Sequence, residues 1–201
     1  MTILLALLLS WGVVATDTMV EVDGRVVSLY KDELRPLHLA QGVLWSWDRT
    51  GKRTDLDLGY SVDGVPPELR DDCVEAIRRW GNSEYGIRIF LSQRPAGTER
   101  TIVFVAEPGD PSALATAEFP WMGGPSSTIR INTKADWSRY NMLSVLVHEV
   151  GHALGFSHVN DEDSIMRPFY TGQQRPGWSD MLRATQIYLT RPWPNRTISR
   201  N

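Results

Sequence analysis

Three histidines and a glutamate lie close together in this chain, two of the histidines within the segment HEVGH at residues 148–152 and the third at His158. On a helix, side chains four residues apart lie on the same face, so the imidazoles of His148 and His152 could bind one Zn²⁺ at about 2.0–2.1 Å. Glu149 lies one step around the helix, where its carboxylate could take a proton from a zinc-bound water. The spacing therefore predicts a metal site with a general base beside it.

The segment after this helix supplies the third ligand that a catalytic zinc needs. Such a zinc has three protein ligands and one open position, and the third ligand must come from chain that has left the helix. Gly155 can adopt the left-handed conformation that ends a helix, so the chain can turn back and bring His158 to the metal. The alternative is three histidines that merely pack or hydrogen-bond, but burying the charged Glu149 in an apolar helix is costly without a metal. We therefore predict one catalytic Zn²⁺ held by three imidazoles.

A methionine follows the histidines, in the segment SIMRPFY at residues 164–170. The long zinc motif with a following methionine is the metzincin signature, and the order of the elements resembles the matrixin branch, the family of the matrix metalloproteinases. The resemblance covers about residues 56–190 and is strongest over 141–170. It implies zinc ligands, a catalytic glutamate and a methionine in a turn beneath the metal, at His148, His152, His158, Glu149 and Met166.

The same resemblance implies a substrate-binding surface around the metal. Residues 114–119 are similar to the edge strand on which an extended substrate lies and pairs its backbone as an added strand. Residues 168–170 are similar to the wall of the pocket for the side chain after the scissile bond, and the small Ser144 would leave that pocket open to medium or large hydrophobic side chains. The expected substrate-binding residues are Leu114, Ala115, Ser144, Val145, Pro168, Phe169 and Tyr170.

Some positions depart from the family pattern. Matrixins carry a second, structural zinc bound by three histidines and an aspartate, but this chain has 4 His and only His38 lies outside the catalytic motif. That site cannot be built, and Ca²⁺ at the same loops has no support because Thr116 stands where one of its histidines is expected. Val159 replaces the serine that usually follows the third ligand, and Pro168 excludes the tyrosine ligand of the astacin-like branch.

The elements that must position these residues follow from apolar periodicity and turn residues. Strands are predicted at 56–62, 87–91, 101–106 and 128–133, with a looser apolar stretch at 113–119 and a small hairpin over 20–29 around the turn Asp23-Gly24. Helices are predicted from the turn at 63–67 to about Trp80, over 141–154, and over 181–190 with Ser179-Asp180 as the N-cap.

The fold class that the resemblance implies is α+β. It is a metzincin-like or zincin-like single domain with a twisted, mainly parallel sheet of about five strands and an antiparallel edge strand. Two long helices pack on this sheet, and a small C-terminal subdomain carries the methionine turn and the final helix. The domain is expected over 55–192, with a tail at 193–201.

The single cysteine, Cys73, lies on the apolar stripe of the first predicted helix with Leu69, Ile77 and Trp80. It could ligate a metal or silence an active site as a thiolate, but a buried cysteine on such a stripe is more often a small, inert hydrophobic residue. One cysteine also excludes an internal disulfide. The formal charge of −3 gives no cationic surface for nucleic acid.

The N-terminus carries an apolar stretch over residues 3–15 that is too short to cross a bilayer comfortably. It is typical of a secretory signal peptide over residues 1–16, with Val13 and Ala15 as small residues before a cleavage site. Because no Lys or Arg precedes the stretch, an uncleaved anchor or a short buried helix stays an alternative. Residues 17–54 would then be a short pro-segment, in which the carboxylate of Asp17, Asp23 or Asp32 could occupy the open zinc position.

The predicted function is that of a zinc-dependent endopeptidase that acts on protein or peptide substrates. The protein is expected to be secreted, into the extracellular space or the periplasm, and to be a monomer. After removal of the signal peptide, no part of it is expected to insert stably in a membrane. A non-catalytic exported binding module on the same scaffold is the main alternative, and the intact Glu149 argues against it. A zinc hydrolase with a non-peptide substrate is a third reading, because the helix motif specifies water activation and not the substrate.

Overall fold

The computed structural model describes residues 16–22, 25–30, 55–81, 88–118 and 126–190. Its strands are β1 (Thr16–Val22), β2 (Arg25–Tyr30), β3 (Asp55–Gly64), β4 (Arg88–Gln93), β5 (Thr101–Glu107), β6 (Ala113–Glu118) and β7 (Ser126–Asn132). Its helices are α1 (Pro67–Gly81), α2 (Met142–Ala153) and α3 (Trp178–Thr190), with one short 3₁₀ turn at Trp137–Arg139.

One sheet contains all seven of these strands, in the order β2-β1-β6-β7-β5-β3-β4. Strands β3, β4, β5 and β7 run parallel, and β6 is antiparallel to β7. These five strands confirm the predicted mainly parallel sheet with an antiparallel strand on one side. The predicted N-terminal hairpin is also present, although its turn residues Asp23 and Gly24 lie outside the described residues. This hairpin extends the sheet beyond β6, because β1 pairs antiparallel with both β2 and β6.

The main core lies between this sheet and the helices α1 and α2. Helix α1 buries Cys73, Ala76, Ile77 and Trp80, which confirms the stripe predicted from the sequence. The indole of Trp80 stacks on Phe156 with ring centroids 4.8 Å apart, and its Nε1–H donates to the carbonyl of Val147 at 2.8 Å. Trp80 thereby joins α1 both to the middle of α2 and to the chain that leaves α2.

Cys73 has no exposed surface and belongs to this core. Burial, with a smaller effect from the nearby Asp72 carboxylate, raises the pKa of its thiol to about 12. A thiol with so high a pKa is not a nucleophile or a metal ligand near neutral pH. The prediction of a buried cysteine in the core is confirmed.

The two C-terminal helices agree with the sequence to different degrees. Helix α2 matches the predicted span, with the Asn141 side chain capping its N-terminus by accepting from the Ser144 backbone N–H at 3.0 Å. Helix α3 begins three residues earlier than predicted, and the expectation that Asp180 is part of its N-cap was wrong. Asp180 lies in the first turn of α3 and accepts from the Gly177 N–H at 2.9 Å, as the third residue of a capping box does.

The described part of the chain contains no helix with the length and apolar character needed to cross a membrane.

Candidate metal centre

The three histidines converge on one point beside α2. Within α2, His148 and His152 place their Nε2 atoms 3.0 Å apart, and the Nε2 of His158 lies 3.3 Å from that of His148. A tetrahedral zinc with bonds of about 2.0–2.1 Å separates neighbouring ligand nitrogens by about 3.3 Å. The observed separations therefore fit one zinc ion shared by three imidazoles.

The hydrogen bonds of the Nδ1 atoms in two of the rings show why the Nε2 atoms face the shared point. The Nδ1 atom of His148 lies 2.7 Å from the carbonyl oxygen of Ile165, and the Nδ1 atom of His152 lies 2.7 Å from that of Phe156. A carbonyl can only accept, so both Nδ1 atoms carry the proton and both Nε2 atoms present lone pairs. Lone pairs directed at each other from neutral rings are unfavourable without a cation between them, and metal-bound histidines are oriented in this same way.

Glu149 lies between these ligands in the sequence and is completely buried in α2. Transferring a carboxylate from water to such an environment is costly unless an opposite charge compensates for it. A divalent cation on the adjacent histidines would provide that charge. The chemistry of the residues present therefore fits zinc.

The chain leaves α2 by the turn that the sequence predicts at Gly155. This glycine has a φ of 97°, in the left-handed region, and its N–H donates to the carbonyl of His152 at 2.9 Å. The following N–H, of Phe156, donates back to the carbonyl of Gly151 at 3.0 Å. These bonds close the helix end in the manner of a Schellman motif and turn the chain so that His158 reaches the other two histidines.

Gly151 has a packing role that sequence reasoning missed. A Cβ atom built at this position would lie 2.2 Å from the Met166 sulfur and 2.6 Å from a ring carbon of Trp80. Glycine inside a helix costs about 1 kcal/mol relative to alanine, and its presence in α2 was the available signal of a close contact. The structure places Met166, which is buried, directly beneath the helix that carries the histidines.

Asp180 also supports the histidine cluster, in a way that the sequence did not indicate. Its carboxylate is fully buried, accepts from the backbone N–H of Ile165 at 2.8 Å, also bonds the Ser164 hydroxyl, and forms an ion pair with Arg183 at 2.7 Å. The carbonyl of the same Ile165 accepts from His148 Nδ1. One residue of the methionine turn thus connects the first turn of α3 to a metal-binding imidazole.

The predicted substrate residues are only partly brought together. Leu114, Ala115 and Val145 form a small buried apolar cluster against which Tyr170 packs. The Tyr170 hydroxyl accepts from the Asn141 N–H at 2.8 Å, which ties the predicted wall segment to the start of α2.

The other three predicted pocket residues are placed differently. The Ser144 hydroxyl donates to the Gln173 carbonyl at 2.6 Å, so it holds the loop after the wall segment. Pro168 is half-buried, and Phe169 is 45% exposed and lies outside the apolar cluster around Leu114.

Among the described residues, the three histidines are the only group of three or more His, Cys, Asp and Glu residues close enough to hold a metal ion. Thr116 lies in β6 with Arg130 of β7 as its register partner. His38 lies outside the described residues. The described residues therefore offer one candidate site for zinc.

The fold and this candidate centre define a zincin-type domain, in which one helix beside a mainly parallel sheet carries two of the three histidines that could hold a metal ion. Residues 90–189 match the sequence model of the family described as Matrixin. The chain carries a matrixin-like catalytic domain, and the resemblance predicted from the sequence is confirmed. As a family, the matrixins are zinc metalloendopeptidases.

Individual relatives are matched over part of their length. Interstitial collagenase B of Mus musculus is 28% identical over 163 residues, which cover 70% of this chain and 34% of that protein. Matrix metalloproteinase-16 of Rattus norvegicus is 39% identical over 138 residues, covering 56% of this chain and 23% of that protein. Matrix metalloproteinase-26 of Homo sapiens is 28% identical over 125 residues, covering 56% of this chain and 47% of that protein. The chain therefore spans less than half the length of each of these relatives.

Proposed function

We propose that this protein is a secreted endopeptidase that uses one zinc ion to hydrolyse peptide bonds in extended polypeptide substrates. The observation that carries the proposal is the convergence of three imidazole Nε2 atoms, two of them on the helix that also carries the buried Glu149, with two rings oriented by backbone carbonyls. This arrangement supplies the ligands, the open position and the base that peptide hydrolysis needs.

The histidines at 148, 152 and 158 would hold the ion. A bound zinc would act as a Lewis acid, lowering the pKa of its water to about 7 and stabilising negative charge on the carbonyl oxygen. Glu149 accepts the proton from the attacking water and then delivers it to the amine nitrogen that leaves. The carbonyls of Ile165 and Phe156 keep two of the imidazoles in the tautomer that binds metal.

The substrate would bind along β6 as an added strand, with backbone hydrogen bonds providing affinity and side-chain pockets providing preference. The cluster of Leu114, Ala115 and Val145 supports an apolar pocket beside the metal, with Tyr170 contributing to its wall. We propose that this pocket takes a medium or large hydrophobic side chain. Pro168 and Phe169 belong to the same wall segment, which Ser144 anchors through Gln173.

The catalytic assignment is tested by comparing three full-chain variants on an unstructured protein such as casein, with and without a zinc chelator. Glu149→Ala should keep about one equivalent of zinc and lose roughly 100- to 10,000-fold in rate, the usual contribution of a general base. His158→Ala should lose both the cleavage activity and the bound zinc. Glu99→Ala, which removes an exposed glutamate far from the centre in the sequence, is the matched control and should cleave like the parent protein.

Two results would contradict the assignment. Cleavage that persists in Glu149→Ala, or that is insensitive to the chelator, would remove the proposed mechanism. Zinc binding by the parent protein without any cleavage would instead support the alternative of a non-catalytic binding module.

Secretion is a separate part of the proposal, and it depends on the apolar residues 3–15 acting as a signal peptide. The N-terminal sequence of the protein recovered outside the producing cell should begin close to residue 16. Recovery of the protein only in the cell, with Met1 retained, would contradict export.

A further inference from the structure

The side chain of Asn132, the last residue of β7, is buried and uses every hydrogen-bonding position that an amide has. Its Oδ1 atom accepts from the backbone N–H groups of Gly109 at 2.8 Å and Lys134 at 2.9 Å. Its Nδ2 atom donates to the carbonyls of Ala113, at 2.6 Å, and Asp110. The four bonds join the end of β7 to the loop that follows β5 and to the first residue of β6.

The backbone of Asn132 holds a second part of the same region. Its carbonyl accepts from the indole Nε1–H of Trp137 at 2.9 Å. Trp137 packs against the apolar cluster of Leu114, Ala115 and Val145, which the proposed function assigns to the substrate pocket. Leu114 and Ala115 are the second and third residues of β6, directly after the carbonyl that the amide binds. One residue thus holds both the strand that carries two pocket residues and the indole that packs on them.

The bonding of Asn132 argues against a structural cation at this loop. Ca²⁺ binds carbonyl and carboxylate oxygens. The carbonyls of Asp110 and Ala113 instead receive the two N–H groups of Asn132, so a cation shared by these carbonyls would compete with Nδ2 for the same oxygens. The amide performs the joining role that a bound ion could otherwise perform.

A second side chain on the same face of β7 supports this conclusion. Arg130 lies two residues before Asn132 and opposite Thr116, where the family resemblance leads us to expect a zinc-binding histidine. Its guanidinium pairs with the Glu107 carboxylate at 3.0 Å and with that of Glu118, the last residue of β6. A fixed positive charge at this point repels a metal ion and ties the end of β6 to β7.

We propose that Asn132 is a positioning residue for the proposed peptidase, which fixes the start of β6 and so places Leu114 and Ala115 against α2 without a structural metal ion. The inference rests on the proposed function, because it concerns the substrate pocket of that reaction. Asn132 acts through the backbone of β6. Its loss should therefore weaken substrate binding and leave the zinc ligands unchanged.

Asn132→Asp is the most direct test, because aspartate has the same shape and keeps the acceptor for Gly109 and Lys134. Its second oxygen cannot donate, so it would repel the carbonyls of Ala113 and Asp110 and displace the start of β6. In the full-length protein, KM for casein should rise about tenfold, the effect of one or two lost hydrogen bonds to the substrate. The value of kcat should stay within about threefold, and about one equivalent of zinc should remain bound.

Thr133→Asp is the matched control, since it places the same charge on the exposed neighbouring residue. Gly109→Ala is a milder variant that presses on the amide without removing it. Its new methyl carbon would lie 3.1 Å from Asn132 Cγ, so the amide must shift slightly. KM should rise by about two- to threefold in Gly109→Ala, because small displacements at a binding site have such effects. This variant decides the question if Asn132→Asp does not fold.

Amide hydrogen exchange at Gly109 and Lys134 tests the metal-free loop and does not depend on cleavage. After chelation and the return of one equivalent of zinc, with no calcium added, both amides should exchange as slowly as in the untreated protein. In Asn132→Ala, which removes their acceptor, they should exchange at least about tenfold faster. If their protection needs calcium or a second equivalent of zinc, a structural cation holds the loop and the inference is overturned.

An unchanged KM in Gly109→Ala or in a folded Asn132→Asp would also overturn the inference, and so would a loss of zinc from Asn132→Asp. Binding of fluorescein-labelled casein to the zinc-loaded Glu149→Ala protein, with and without Asn132→Asp, separates this result from a failure of the proposed function. Weaker binding with Asn132→Asp, when the parent protein does not cleave, would support the role of Asn132 and overturn the peptidase assignment. Unchanged binding, when the parent protein does cleave, would do the reverse.

Discussion

The metal centre and the substrate edge are built in opposite ways. The carbonyls that orient His148 and His152 belong to the buried residues Ile165 and Phe156, and Glu149, His152 and Asp180 have no exposed surface. The substrate side combines the small cluster around Leu114 with an exposed Phe169 and an edge that pairs with β1.

The difference shows where rigidity is useful. A zinc site needs its nitrogens held to within a few tenths of an ångström, and hydrogen bonds to backbone carbonyls fix the rings of His148 and His152. A protein substrate must be able to enter and leave, so the proposed substrate surface includes exposed side chains such as Phe169. Substitutions at the first region should therefore affect stability and zinc affinity together, and substitutions at the second should affect mainly cleavage preference.

The largest structural effect is expected for Asp180→Asn. The change removes the charge that pairs with Arg183 and weakens the acceptor for the Ile165 N–H. Breaking a buried ion pair usually costs about 3–5 kcal/mol, so unfolding in urea should show a loss near that size. Zinc affinity should fall as well, because Ile165 orients His148.

Asp163→Asn serves as the control for Asp180, since it removes an exposed aspartate from the same segment. A stable Asp180→Asn protein with normal zinc affinity would show that α3 does not support the metal centre.

The next effect in size is expected for Gly151→Ala. The new methyl group would overlap Met166 and Trp80, and overpacking of this kind costs about 1–3 kcal/mol even though alanine favours a helix. Thermal unfolding of Gly151→Ala, Met166→Ala and the double variant measures the coupling between the two sites. The penalty at Gly151 should shrink when the methionine is shortened, and simple additivity of the two changes would contradict the contact.

The metal centre could be predicted largely because its signals are local. The spacing of His148, His152 and His158 and the helix break at Gly155 lie within one short segment. Periodicity and cap chemistry act over the same distance, so the limits of α2 agree with the prediction. The strands β3 to β7 were also recognisable, because each is a separate apolar run.

The contacts that were missed join residues far apart in the chain. The hairpin of β1 and β2 has a local signal in Asp23-Gly24, but nothing in its own sequence indicates β6 as its neighbour, about 95 residues away on the chain. The sequence predicts Asp180 as part of an N-cap, because aspartate is common at the start of a helix. Its partners Ser164 and Ile165 lie in the methionine turn, which no sequence window around Asp180 includes. Pairing partners of this kind depend on the complete fold and not on a sequence window.

A moderate effect on cleavage preference, accompanied by a loss of stability, is expected for Ser144→Arg. Ser144 is buried and its hydroxyl bonds Gln173, so an arginine must displace that loop and reach into the space beside Val145. The ratio of kcat/KM for large over small hydrophobic side chains should fall by about tenfold, the size of a steric change in an apolar pocket.

Ser144→Ala is the matched control for this change. It removes one hydrogen bond, worth about 1 kcal/mol of stability, and leaves the pocket volume unchanged. An identical cleavage profile for the arginine variant and the parent protein would place the pocket elsewhere.

The smallest effect is expected for Phe169→Ala, and it sharpens the contrast between the two regions. Phe169 is 45% exposed, so truncating it should change the free energy of unfolding by less than about 0.5 kcal/mol. Tyr170→Phe in the next position is the informative comparison, because it removes only the hydroxyl that accepts from Asn141 and should destabilise by about 1 kcal/mol. If Phe169→Ala were the more damaging of the two in chemical denaturation, the wall segment would be held by packing of Phe169 and not by its anchor on α2.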